Sequence, residues 1–279
     1  ATVSTKSTLS KINIRLKKFN ISEVNLDDQL SIEHVDIEFD LTSLFFFQSF
    51  KYEVTLSGLP IDIRRRIDNS IEVKFDRYQF FSEGKNSNRL FESLRNITSL
   101  KIKNPKLKFS DEITELTVDY DTGEINFTFF EDSYICQTQG NLSQSNLNEA
   151  LLNLTVSFFP KTGKTIIESK LQNFVPSFVT GKHNRFNDIF KNFVSPIYSN
   201  SVINLDSKGK INSYSGSVSA ESFTIIDLVK KHKSLQIKDL FISYKSDKNL
   251  SKVDLTKIEL KSDFMKISGS GDFNFDKSL

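Results

Sequence analysis

Leu152-Asn153-Leu154-Thr155-Val156-Ser157-Phe158 alternates apolar and polar side chains without a break. An extended chain points successive side chains to opposite faces. This stretch therefore lays Leu152, Leu154, Val156 and Phe158 on one face and gives the other to water. The pattern spreads outward from there. Upstream, Leu116, Val118 and Tyr120 are followed by Ile125, Phe127 and Phe129, with Asp121-Thr122-Gly123 reading as a turn between two strands. Farther up, Tyr52, Val54 and Leu56 lead into Ile61 and Ile63, and Ile71, Val73 and Phe75 repeat the pattern after an Asp68-Asn69 turn. Downstream, Ile242 with Tyr244, Val253 with Leu255, Ile258 with Leu260 and Phe273 with Phe275 carry it to the end. Unbroken Val/Ile/Leu runs, the mark of parallel strands buried on both faces, are missing. The sequence predicts an antiparallel meander.

Several strands slip phase. Leu100 and Ile102 point one way while Leu107 and Phe109 need a shift, and Asn104-Pro105 stands between them; a similar slip separates Ile32 from Val35. A bulge or bend at each point keeps the apolar set on one face, and repeated bulges predict long, curved strands. Two segments change period. Leu90, Phe91, Leu94 and Ile97 fall at helical spacing after a Ser87 cap, and Phe186, Ile189, Phe190 and Phe193 form a stripe over 182–194 that Pro196 follows. A further helical turn is expected near 227–231. So few helices cannot cover the apolar face of about a dozen strands. That face must meet a second sheet, close on itself, or stay open as a trough for an apolar ligand. The predicted fold class is all-β, mainly antiparallel, with two or three short helices and a long curved sheet rolled into a groove. Residues 1–279 read as one β-groove segment, with a possible sub-boundary near 80–98.

Composition narrows the function. Net charge is +2, so no global field recruits nucleic acid. One cysteine, Cys136, excludes an internal disulfide framework and a cysteine zinc cluster. No apolar run approaches the ~18 residues of a membrane helix; Leu44-Phe45-Phe46-Phe47 is the densest. The chain opens at Ala1 and its one methionine is Met265, so it reads as a processed chain or a piece of a longer one.

The apparent chemical motifs dissolve on reading. Thr162-Gly163-Lys164-Thr165 imitates the end of a phosphate loop, but Phe158 stands where its first glycine belongs, and a hairpin turn explains it better. Asp119, Asp121 and Gly123 resemble a calcium loop whose twelfth position is Phe130. His34, His183 and His232 stand at no metal-ligand or catalytic spacing. Arg64-Arg65-Arg66 and Lys230-Lys231-His232-Lys233 suit either a phospholipid headgroup or a solvated sheet edge. No catalytic residue, cofactor or metal is assigned.

Three phrases carry a family resemblance. Ile12-Asn13-Ile14-Arg15-Leu16 is followed by Leu30 to Leu44 and then by Tyr52-Glu53-Val54-Thr55-Leu56-Ser57-Gly58-Leu59-Pro60. Leu100-Lys101-Ile102-Lys103-Asn104-Pro105-Lys106-Leu107 forms the second, and Ile267-Ser268-Gly269-Ser270-Gly271-Asp272-Phe273 the third. Together they resemble the AsmA-like envelope proteins, the YhdP and TamB group, related in architecture to repeating β-groove lipid-transfer proteins. The resemblance implies a periplasmic body anchored to the inner membrane by a segment outside these residues, with a role in outer membrane biogenesis. It also implies phospholipid transport between inner and outer membranes.

On this reading Val54, Leu56, Ile61, Ile63, Phe127, Phe129, Leu154, Val156 and Phe158 line the groove against phospholipid acyl chains, and Phe186, Ile189, Phe190 and Phe193 form a lid helix. Acyl chains gain ~0.8 kcal/mol per buried CH₂ in such a trough. The inner and outer membranes are met through parts beyond the chain; no nucleic acid is expected and protein partners stay open. The alternative is a structural or adhesive β module of the cell envelope, in which the same residues pack on one another. An outer-membrane barrel and an enzyme complete the rivals.

Overall fold

The alternating segments fold as strands of one large sheet. The structure, a computed structural model, describes residues 2–8, 11–22, 29–41, 52–68, 70–75, 78–79, 97–113, 116–145, 148–178, 195–226, 234–246 and 252–274. The chain first lays down β1 (Thr2–Ser7), β2 (Lys11–Ser22), β3 (Gln29–Asp40), β4 (Tyr52–Ser57), β5 (Pro60–Arg65), β6 (Ile71–Phe75) and β7 (Tyr78–Gln79). Next come β8 (Ile97–Lys103), β9 (Lys106–Asp111), β10 (Leu116–Phe129), β11 (Tyr134–Ser145), β12 (Asn148–Phe159) and β13 (Lys164–Phe174). The last five are β14 (Ile197–Leu205), β15 (Ile211–Ile226), β16 (Ser234–Ser246), β17 (Lys252–Lys261) and β18 (Lys266–Asn274). All eighteen belong to one sheet.

From β10 to β18 each strand pairs antiparallel with the next. The amino-terminal part departs from a simple meander. There β4 runs parallel to β8 and β5 parallel to β9, and both β8 and β9 then pair antiparallel with β10. The sequence hides these parallel pairs because both strands still alternate.

Four lines of chain change phase at one level of the sheet. Ile32 and Val35 in β3, Leu56 and Ile61 across β4–β5, Ile102 and Leu107 across β8–β9, and Tyr120 and Ile125 in β10 all pack into one cluster. Each spacing is odd, which in an unbroken strand sends one member to the solvent face. Local irregularities absorb the slips: φ is positive at Lys18 (51°), Gly58 (74°) and Asn104 (49°), and the β10–β11 register shifts between Thr122 and Ile125. The kinks are tied to one another. Gly58 N–H donates to Lys103 O at 3.2 Å, Lys106 N–H to Leu59 O at 3.2 Å, and Asn104 N–H to Gly123 O at 2.9 Å. They form a seam running across the sheet.

The predicted groove and helices are corrected here. The sheet is extended and open, neither closed nor curled into a trough. Its apolar face is filled by its own side chains: Leu59, Ile61, Ile102, Leu107, Tyr120, Ile125 and Leu142 are buried, and Leu16, Ile37, Val54, Leu56, Ile63, Phe109, Val118, Phe127 and Leu152 pack on them. Alternation marks an apolar face but does not distinguish a lining from a core. The bulges keep the apolar set on one face, but the long curved sheet expected from their repetition does not form. Among the described residues the one helical element is the 3-10 turn Pro176–Phe178. The expected helices at 88–97 and 182–194 and the turn at 227–231 lie outside the described residues, apart from Ile97, which opens β8 and is buried.

One point contact joins distant strands. Ser70 forms an isolated antiparallel bridge with Lys210, and Ile71 N–H donates to Gly209 O at 3.4 Å. The two tips meet while the sheet stays open. Beside this contact Glu72, only 3% exposed, receives Arg66 at 2.9 Å and Lys74 at 3.4 Å. Burial works to raise its carboxyl, but the two cations outweigh burial and hold it below the ordinary range. A depressed carboxyl contributes stability above its unfolded value, about 4.5, and that contribution is lost as pH falls through the folded value. Glu72→Gln is expected to lower Tm at pH 7 by roughly 3 °C, the scale of one partly screened pair in a chain of this size. The variant also flattens the fall of Tm below pH 4.5. A differential-scanning series from pH 3 to 8 checks both; an unchanged acid limb assigns the acid sensitivity to other carboxylates.

Candidate functional site

Among the described residues a densely bonded interior polar group lies on the seam, where β10 and β11 fall out of register. A bulge leaves backbone donors and acceptors without their ladder partners, and burial makes each such orphan costly. Hydroxyls supply the missing bonds. Thr122 Oγ1 donates to Gln139 O at 2.8 Å and accepts from Glu124 N–H at 3.3 Å. Thr138 Oγ1 donates to Glu124 O at 3.0 Å and lies 3.0 Å from Thr122 Oγ1. Tyr120, 1% exposed, donates its phenolic hydrogen to Leu152 O at 2.9 Å. Burial pushes this phenol up, with the threonine hydrogen bonds offsetting only part of the effect. Gly140 completes the arrangement, because a Cβ there would sit 2.3 Å from Asp121 O.

This group can pin backbone but has no chemistry to offer. It contains hydroxyls and carbonyls, with no base to activate any of them. Cys136 stands nearby in register with Phe127 and Val156, and burial pushes its thiol up to about 12, so it is a core hydrophobe and not a nucleophile. His34 is half-buried between Lys17 and Ser57 in register; His183 and His232 lie outside the described residues. Among the described residues no three His, Cys, Asp or Glu side chains gather as a metal site. Asp119, Asp121 and Gly123 lie along one continuous strand, β10, so the expected turn there is a bulge. Thr162-Gly163 does turn the chain from β12 to β13, with Gly163 at φ 67° and its N–H donating to Phe159 O at 2.8 Å.

A second set of hydroxyls lies on the apolar face of β13–β16. Ser169 and Ser201 are 2.6 Å apart, and Tyr244 donates to Tyr214 at 2.9 Å. Burial and the Tyr214 neighbour push the Tyr244 phenol up. The set is again self-satisfied.

The residues predicted as a lining share one face. Val54, Leu56, Ile63 and Phe127 pack on the buried cluster that contains Ile61. Leu154, Val156 and Phe158 are half-buried beside them, and Phe129, Tyr134 and Phe158 form an aromatic row with centroids 5.4 and 6.0 Å apart. Phe186, Ile189, Phe190 and Phe193, predicted as a lid, lie outside the described residues. Sequence reasoning missed the threonine-glycine pinning of the bulge. Its signal was present: Cys136, Thr138, Gly140 and Leu142 share a face, so a threonine and a glycine interrupt an apolar phase.

Phospholipid and membrane partners are corrected as well. The three arginines that suited either a headgroup or a solvated sheet edge face acids: Arg64 lies 3.7 Å from Glu112, Arg65 makes a bidentate pair with Asp111 at 2.9 and 2.6 Å, and Arg66 holds Glu72. The Lys230 to Lys233 run lies outside the described residues. With no curved trough in the sheet, acyl chains have no conduit, and lipid transport, a membrane-protein role and outer membrane biogenesis lose their structural basis. No described helix is long and apolar enough to cross a membrane. The likeness to AsmA-like proteins of the YhdP and TamB group fails on the same ground, since their sheets curl and this one does not. Compared with known proteins, the chain matches no family model, no curated protein and no solved structure.

Proposed function

We propose that this chain is a non-catalytic structural module, an extended β-sheet whose purpose is mechanical and architectural. One observation carries the reading: the face expected to hold a ligand is occupied by a contiguous buried cluster running from Ile32 in β3 to Ala150 in β12. The polar groups within it are devoted to bulge carbonyls and amides, as expected where polar interior groups specify a fold. The cell envelope on its periplasmic side is part of the same proposal, since a core that uses no disulfide tolerates that compartment.

Native mass spectrometry of protein purified without detergent tests it. The expected spectrum shows lipid-free polypeptide, whether as one chain or two, with no uptake of fluorescent phospholipid in a parallel titration. Co-purified lipid that survives buffer exchange would overturn the structural reading.

A further inference from the structure

The outer edge of β18 is an open surface of the sheet. Lys266 to Asp272 are all exposed, Ile267 is 48% exposed and the adjoining Phe264 94%. A Cβ at Gly269 or Gly271 would meet nothing within 4 Å. Among the described residues β18 pairs with β17 alone, so one row of its backbone donors and acceptors faces outward. Edges of this kind are usually blunted by proline, by a bulge or by a centrally placed charge. Between Lys266 and Asp272 the strand reads Ile267-Ser268-Gly269-Ser270-Gly271, with no proline and no charge; the one irregularity there is on β17, whose register shifts between Leu255 and Ile258 and leaves the outer row of β18 uncovered.

Its charges point to a particular occupant. On β17, Lys261 stands opposite Lys266 and Asp254 opposite Asp272, so each end of β18 meets a like charge across the ladder. Like charges directly opposite destabilise a strand pair. Lys252, 4.0 Å from Asp272, serves the acidic end, while among the described residues Lys266 has no acidic partner. An antiparallel second copy of β18, related by a twofold axis through Gly269, sets Lys266 against the partner's Asp272 and Ser268 against the partner's Ser270. The same register lays Ile267 over the partner's Gly271, next to the partner's Leu255. With a single cation and a single anion between Lys266 and Asp272, only this register opposes unlike charges, and symmetry supplies the pair twice.

We propose that the chain forms a homodimer through β18, edge to edge and antiparallel about Gly269, which continues the sheet across the twofold axis. The inference goes beyond the structural reading and stands independently of it, because a lipid-free monomer and a lipid-free dimer give distinct masses.

Sedimentation equilibrium of the full chain, from micromolar to hundreds of micromolar, is the test. The wild type is expected to reach a dimer. Lys266→Asp faces acid with acid at both ends and is expected to weaken association about tenfold. Asp272→Lys acts alike with the sign reversed, and the double exchange K266D/D272K restores the dimer, which a merely misfolded variant cannot do. A wild type that stays monomeric throughout overturns the proposal, whichever foreign strand then takes the edge. So does a dimer indifferent to all three variants.

Discussion

Tyr120→Ala is expected to lower the free energy of unfolding by about 3–5 kcal/mol, the range for emptying a buried aromatic site. The ring is enclosed by its own cluster, with Phe109 set edge-on at 5.9 Å. Extended neighbouring strands cannot collapse into the space, so the cavity persists. The hydroxyl adds a second loss, because Leu152 O loses the hydrogen bond that Tyr120 donates to it. Tyr120→Phe isolates that part and is expected to cost about 1–2 kcal/mol. Urea unfolding followed by circular dichroism reads both. An Ala variant within about 1 kcal/mol of wild type contradicts a packed face, since a ring lining an empty trough leaves little behind when removed.

Gly140→Val has the second large effect, about 3 kcal/mol or more, with accumulation in insoluble material on expression. Its Cβ would lie 2.3 Å from Asp121 O and 2.7 Å from Thr122 Cβ, and both belong to the bulge backbone or its branch point. Neither can swing aside without breaking the hydroxyl bonds at Gln139 and Glu124. Gly123→Ala is the matched control on the same bulge. Nothing lies within 4 Å of a Cβ there, so a change within about 0.5 kcal/mol is expected. Equal damage from the two substitutions would show that the seam does not depend on close approach at Gly140.

The period-two pattern was legible because sheet burial is one-sided and side chains report it directly. Leu152 to Phe158 and Ile242 to Tyr244 read as strands and are strands. The slips at Ile32/Val35 and at Ile102/Leu107 were legible for the same reason, since an odd spacing between apolar residues demands a kink. Their joining into one seam was not. A kink in one strand looks like curvature, and only the alignment of Gly58, Asn104 and Gly123 in neighbouring strands shows a seam. The parallel pairing of β4 with β8 left no trace, because partner choice is decided by chain direction and connection and not by alternation. The groove was the largest misreading. Apolar alternation at Val54 or Phe127 is identical whether the face meets lipid or its own neighbours.

Those two parallel pairs also govern the order of assembly. Arg65 and Asp111 stand 46 residues apart, whereas the strands from β10 to β18 are paired with immediate sequence neighbours. Closing the longer loop costs chain entropy before any contact rewards it, and parallel pairing of this kind is intrinsically slow. The runs paired with sequence neighbours, β1 to β4 and β10 to β18, are therefore the parts that zip first, one hairpin after another. The strands β4 and β5 then dock in parallel onto β8 and β9, which are themselves paired with β10. The parallel joint is thus the last to close, after the hairpins on either side of it have formed.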